Sequence, residues 1–313
     1  TSSQPNILLI ISDDQGIDAS AQYSLSSDLP VTPRLNQLAA EGIIFDNAWA
    51  TPACTTTRAA IITGKYGINS GVISNEDVIA DNEITIQSYL SDAENSSNYG
   101  LAIIGKWGLG GGNVSNDHPL LMGVEYFAGS LRRAISNYFQ WDLTINGVTT
   151  RSEIYNTTKL TDLAIDWIDS QEEPWFLWLA YTAPHDPYHL PPSKLHGREL
   201  SGEASDITTN PRPYYLASIE AMDSEIGRLM DSIGSATLEN TVIIYVGDNG
   251  TPNNVIDRAV FSNGKSSVSE GGIRVPLIVS GAGVSRQDSR EDSLINVTDI
   301  FATVSELAGN DVT

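Results

Sequence analysis

Short runs of unbroken apolar, β-branched-rich sequence recur along the chain between segments of helical period, and this alternation restricts the fold more than any other feature. The runs are Asn6–Ile11 (NILLII), Leu101–Ile104, Trp175–Tyr181 (WFLWLAY), Thr241–Val246 (TVIIYV) and Val275–Ser280. Strands of a parallel sheet are covered on both faces, so they are apolar throughout instead of alternating apolar and polar. Between them, TPRLNQLAAEG reads as a helix, with Thr32 as cap, Pro33 in the first turn, Leu35, Leu38 and Ala39 on one face and Gly42 as the stop. TTKLTDLAIDWIDSQ carries Leu160, Leu163, Ala164, Trp167 and Ile168 on one stripe, and further helices are expected from about Tyr214 to Ile233 and from Thr298 to Leu307. Strands alternating with helices imply an α/β fold, a doubly wound and mostly parallel sheet with helices on both faces. No composition shift marks a second unit, so residues 1–313 are expected to form one α/β domain.

Charge narrows the function. The chain carries 17 Lys and Arg against 39 Asp and Glu, a formal net charge of −22. A polyanion-binding protein needs clustered cations, so no nucleic acid partner is expected. No apolar run approaches the roughly 18 residues of a membrane-spanning helix. Such acidity suits a bound cation, and it makes the few basic residues beside acidic motifs informative. The sequence opens on TSSQPN, with no basic segment leading into an apolar stretch, and Cys54 is its one cysteine. A leader already removed, and a secreted or periplasmic location, are the expectation; a spare thiol in an oxidising compartment then requires a purpose. No feature specifies an oligomeric state.

The strand-like run NILLIIS ends in Asp13 and Asp14, and TVIIYVG ends in Asp248 and Asn249. In open α/β sheets functional groups collect beyond the carboxyl ends of strands. Two such pairs would make a cage of hard oxygens for Ca2+, with Mg2+ as the second candidate. Asp and Asn also begin turns, which is the competing explanation of either pair alone. TPACTTTRAAIITGKY places Cys54 just before a helical run with Arg58 one turn on, so a nucleophile would sit at a positive helix end beside a guanidinium; a buried structural cysteine is the alternative. Lys106 ends one strand, His185 follows another in TAPHDPYH, and Lys265 lies in a glycine-bounded loop. At about 4 Å and an effective dielectric near 20, each such cation would stabilise a unit of developing negative charge by roughly 4 kcal/mol. The loops at about 110–120 and 183–213 are rich in Gly, Pro, Asn and Asp and are expected to border the site.

Taken in order, PNILLIISDDQG, TPRLNQLAAEGIIFDNAW, CTTTRAAIITGKY, GKWGLG, APHDP, YYLASIEAMDSEIGRL, GDNGT and GKSSVSEGGIRVPLIV resemble the sulfatases of the alkaline phosphatase superfamily. The resemblance implies that Asp13, Asp14, Asp248 and Asn249 are calcium ligands, and that Cys54 is the cysteine oxidised to formylglycine, whose hydrate attacks sulfur. It implies further that Arg58 and Lys106 hold this group, while His185 and Lys265 bind the sulfate and assist the leaving oxygen. The implied ligand is a small-molecule or glycan sulfate ester.

Two positions depart from the family pattern: Thr56 stands where the maturation signal has Pro or Ala, and Gly108 replaces the histidine of GKWHLG. Three readings follow. One is a sulfatase with an altered maturation route and His118 or a water in place of the lost base. Another is a phosphate or phosphonate ester hydrolase in which Cys54 or a neighbouring Thr attacks directly. The third is a catalytically impaired, metal-dependent binder of sulfated or phosphorylated ligands. The family's smaller C-terminal subdomain is expected to be reduced or absent, which would leave a shallow, exposed substrate site, with Tyr188 and Trp107 as candidate stacking surfaces.

Overall fold

The computed structural model describes residues 4–112, 114–172 and 174–311. The strands are β1 (Asn6–Ser12), β2 (Gly42–Trp49), β3 (Gly100–Lys106), β4 (Tyr126–Ser130), β5 (Trp141–Ile145), β6 (Val148–Ser152), β7 (Trp175–Ala180), β8 (Thr241–Gly247), β9 (Leu277–Gly281) and β10 (Ser289–Asn296). They form one 10-stranded sheet in the order β10-β2-β9-β8-β1-β7-β3-β4-β5-β6. Its centre, β8-β1-β7-β3-β4, is parallel throughout. β9 runs antiparallel to both of its neighbours, and the β5–β6 hairpin joins β4 antiparallel.

Alternate side chains of each central strand serve opposite faces. Ile7, Leu9 and Ile11 pack on one side with Ile61 and Ile62 of helix α1 (Cys54–Thr63) and with Ile300 and Val304 of a C-terminal helix. Leu8 and Ile10 pack on the other, against helix-borne Leu35 and Leu38, Leu160 and Leu163, and Met222, Ile226 and Leu229. Burial of both faces explains the unbroken hydrophobicity of the runs and yields the doubly wound, mostly parallel architecture expected. Among the described residues no helix is long and apolar enough to cross a membrane.

The strands that the sequence reading passed over lie towards the rims of the sheet. β10 (SREDSLIN) is mostly exposed or half-buried, and β6 has four exposed residues of five. Strands with one wet face or an open edge lose the continuous apolar signal. Thr32 does not cap the helix it precedes. Its hydroxyl accepts from Gln22 Nε2 at 3.0 Å, while the carboxylate of Asp223, brought from Arg212–Ser232, accepts from the Arg34 and Leu35 amides at 3.1 and 2.8 Å. A tertiary neighbour has replaced the local cap, since a carboxylate at a helix N-terminus also complements its dipole.

The loop after β7 is tied down by aromatic residues. The Tyr138 hydroxyl lies 2.9 Å from the Thr182 carbonyl and 2.7 Å from that of His185, which fixes the backbone carrying His185. His189 stacks on Tyr138 with ring centroids 4.1 Å apart; its Nδ1 is 2.9 Å from the Pro187 carbonyl and its Nε2 3.0 Å from the Tyr155 hydroxyl. Nδ1 must donate to the carbonyl, and Nε2 can accept from the Tyr155 hydroxyl, an arrangement that the neutral ring satisfies. Burial lowers the His189 pKa from 6.5 to about 4, against the pull of the Pro187 carbonyl. Between these values the unfolded chain binds more protons than the folded one, so His189 contributes stability at neutral pH that is lost as pH falls from 6.5 through 4. Urea titrations should show that His189→Gln flattens this part of the stability profile, by on the order of 2 kcal/mol relative to wild type.

Candidate active site

The parallel pairing of β1 with β8 sets Ser12 opposite Gly247, so Asp13–Asp14 and Asp248–Asn249 leave the sheet side by side. The Asp14 amide donates to Asp248 Oδ1 at 2.9 Å, and Asn249 Nδ2 donates to Asp14 Oδ1 at 2.8 Å. Asp14 adopts a positive φ of 71°, a conformation aspartate tolerates better than most residues and one that recurs where function constrains the backbone.

Buried cations surround these acids. Lys106, the last residue of β3, donates from Nζ to Asp13 Oδ2 at 2.5 Å. Arg58, on α1, donates from Nε and Nη2 to Asp248 Oδ2 at 3.1 and 2.8 Å and from Nη1 to the Lys106 carbonyl at 2.9 Å. The side chains of Asp13, Arg58, Lys106 and Asp248 are all 0% exposed. Lys265 Nζ lies 2.6 Å from Asp14 Oδ1 and 2.8 Å from Oδ2, and His185 Nε2 lies 3.6 Å from Asp14 Oδ2. Burial, with repulsion from Asp13 behind it, raises the Asp248 pKa against Arg58 and Lys106. Burial also acts to raise that of Asp14, but His185 and Lys265 outweigh it and hold the carboxyl below its usual range. Burial alone would favour a neutral Lys106, yet Asp13 overcomes it and keeps the ammonium charged.

Cys54 is the first residue of α1 and is 2% exposed. Its Sγ and carboxylate oxygens of Asp13 and Asp248 all lie within 4.8 Å of one another, and oxygens of Asp13 and Asp14 lie within the same distance of each other and of a His185 ring nitrogen. Cys54 lines a cavity of about 370 Å³ together with Asn75, Arg132, Ala134, His185 and Lys265. The exposed Gly112, Arg132 and Ala134 form part of its wall, so the cleft meets solvent there. The structure therefore brings Asp13, Asp14, Cys54, Arg58, Lys106, His185, Asp248, Asn249 and Lys265 together.

Other expectations need correction. Trp107 is buried and turned inward, its Nε1 donating to His118 Nδ1 at 2.9 Å, so it offers no stacking surface. That bond occupies one nitrogen of His118, which stands behind the tryptophan and is not among the residues lining the cleft. Tyr188 is half-buried, edge-on to Tyr215, with its hydroxyl on Asn254 Oδ1. The Thr56 and Thr57 hydroxyls bond to that of Thr51, which leaves them tied to their own loop. Thr55 Oγ1 is buried without a partner, and none of these threonines lines the cleft.

The sequence reading missed Asn75, whose Oδ1 accepts from the Thr55 amide at 3.3 Å and lies 3.7 Å from Cys54 Sγ. It also missed Arg132, although Arg132–Arg133 is the chain's one pair of adjacent basic residues.

Removing one partner of a buried ion pair leaves an uncompensated charge. Asp248→Ala should therefore cost about 3–5 kcal/mol in urea unfolding, even with chelator present, and the double variant Arg58→Met/Asp248→Leu should recover much of the loss.

The sulfatase family model matches residues 5–310. Among curated proteins, N-acetylgalactosamine-6-sulfatase of Mus musculus is 28% identical over 345 residues, an alignment covering 97% of this chain and 62% of that protein. Arylsulfatase G of Mus musculus is 25% identical over 360 residues, covering 98% of this chain and 65% of that protein. The chain thus spans less than two thirds of the length of these relatives. Among solved structures, Ps i-CgsB in complex with k-i-k-neocarrahexaose superposes with a TM-score of 0.83 at 25% identity, covering 99% of this chain and 73% of that one. A protein solved in complex with its substrate D-glucosamine-2-N,6-O-disulfate shares the fold, with a TM-score of 0.77 at 20% identity over 99% of this chain and 78% of that one. Since the family match runs through both acidic strand ends, the Cys54 helix and the Lys265 loop, this chain belongs to the sulfatase family.

Proposed function

We propose that the protein hydrolyses sulfate esters, with Cys54 as the position of the nucleophile and a divalent cation held by Asp13, Asp14, Asp248 and Asn249. The observation that carries this reading is the meeting of Cys54 Sγ with carboxylate oxygens of Asp13 and Asp248, beside a cleft that Cys54, Lys265 and His185 line.

The residues fit a hard cation. Asp13 Oδ1 and Asn249 Oδ1 are buried oxygens with no hydrogen-bond partner, an arrangement that costs free energy unless something accepts their lone pairs. An all-oxygen set of carboxylates and an amide suits Ca2+, with Mg2+ second. The carboxylates of Asp13, Asp14 and Asp248 face Arg58, Lys106 and Lys265, so the permanent charges roughly cancel before a cation binds. A divalent ion there would leave the site net positive and would polarise an anionic ester.

The chain's own groups then divide the work. Cys54 occupies the positive end of α1, which favours an anionic or nucleophilic group there. Converted to formylglycine, it would supply the hydrated aldehyde of the family's chemistry. Lys265 is placed to hold sulfate oxygens at the mouth of the cleft. His185 has Nδ1 2.7 Å from the Asp186 carbonyl, which assigns the proton to Nδ1 in the neutral ring and leaves Nε2 free to exchange a proton with the leaving oxygen. Gly108 can accept no proton. A Cβ built there would lie 3.4 Å from Lys106 Cε and 3.5 Å from Arg58 Cδ, so the missing side chain would have faced the site, and a water is the simplest substitute.

Peptide mass mapping across Cys54 should reveal loss of the thiol, and nitrophenyl sulfate should be cleaved faster than nitrophenyl phosphate. An intact thiol with phosphate as the better substrate would move the reading to phosphorus ester hydrolysis, and no turnover of either ester with calcium present would favour a binder. Independently of turnover, calcium at about 100 times its Kd should stabilise the wild type by about 2.7 kcal/mol, and Asp13→Ala should abolish this.

A further inference from the structure

We propose that Arg132 is a specificity residue that binds a second anionic group of the substrate, so that the preferred ester is an oligosaccharide carrying two or more negative charges. This rests on the sulfate-ester reading above and extends it from the reacting group to the rest of the ligand.

The first observation is an unused charge. With 39 acidic residues against 17 basic ones, each arginine has acidic groups in excess to choose from. Among the described residues, every other arginine donates to a protein acceptor. Arg132 donates to none. A solvated surface arginine is the usual reason for such a side chain, but its position argues otherwise.

Arg132 and Ala134 line two cavities at once. One is the cleft holding Cys54, Lys265 and His185; the other, of about 230 Å³, adjoins it and is walled by the β5–β6 hairpin. That second cavity presents groups suited to sugar hydroxyls: the Thr144 and Thr149 hydroxyls, 2.7 Å apart, and Arg151, which is held by Asp142 at 3.0 Å. A ligand extending from Cys54 into it would pass the free guanidinium. A single-charged aryl sulfate would leave that guanidinium unmet.

The backbone beneath Arg132 is anchored to the reaction centre. Lys106 pairs with Ser130 across β3 and β4, and the strands continue past their ends through Trp107 N to Ser130 O at 2.9 Å and Gly108 N to Leu131 O at 3.4 Å. On the other side Arg133 donates to Glu76 Oε1 at 2.7 Å. The long side chain of Arg132 therefore springs from a base two residues past Ser130, the strand partner of Lys106, so that its reach is set relative to the reacting group. Arginine suits the role because its planar fork can engage sulfate or carboxylate oxygens in pairs.

The test is calorimetric binding of a disulfated oligosaccharide and its monosulfated counterpart, in calcium, to wild type, Arg132→Ala and Arg132→Lys, with turnover of both ligands followed in parallel. Wild type should prefer the disulfated ligand by about tenfold, or roughly 1.4 kcal/mol. Arg132→Ala should bring the ratio near one, Arg132→Lys should keep part of it, and added salt should shrink it. A wild type without preference, or a ratio unmoved in Arg132→Ala, overturns the proposal. A preference that depends on Arg132 without turnover of either ligand would sink the hydrolase reading and leave the subsite standing; turnover with an unmoved ratio would do the reverse.

Discussion

Two cations sealed inside the protein govern the rest of the site. Arg58 and Lys106 have fully buried side chains, and neither could be desolvated without the carboxylates of Asp248 and Asp13 against them. Asp248 depends on them in turn, since burial and its neighbour Asp13 push its pKa up while Arg58 and Lys106 pull it down. The strand ends and the first turns of α1 are thus locked to one another by charge as well as by packing. Because the same groups form the proposed reaction centre, a substitution there is expected to change folding stability and chemistry together.

Where the chain announces its structure and where it stays silent follow from burial. The central strands β1, β3, β7 and β8 are covered on both faces, and their apolar runs were legible almost residue by residue. β2, β10 and the β5–β6 hairpin have a wet face or an open edge, and their sequences mix charge with apolar residues. The site was legible for a related reason: a cluster of charge immediately after an apolar run has to leave the sheet at its carboxyl end. Asp13, Asp14, Lys106, Asp248 and Asn249, picked out by that argument, lie against one another at the strand ends. What could not be read were contacts made by residues distant in sequence, such as Asp223 capping the helix at Arg34, Asn75 beside Cys54, and His118 screened by Trp107.

The walls of the cleft differ in character from its floor. The floor is a tight lattice of ion pairs carried on strand and helix ends, while the mouth is made of glycine-rich and arginine-bearing loops with room around them. Such a division lets the reacting group be held in one way while the remainder of the ligand is selected by side chains that can change without disturbing the core.

The pairing of β1 with β8 has one more implication. The residues that point into the site from these strands do so by virtue of a single alignment, Ser12 beside Gly247. A slide of one position would part the Asp14 amide from Asp248 and pull at the buried pairs of Asp248 with Arg58 and of Asp13 with Lys106, leaving charge uncompensated in the interior. Both strands are apolar on both faces, so packing alone separates one alignment from the next only weakly, and the ion pairs at their ends add an electrostatic cost to misalignment that requires no ligand.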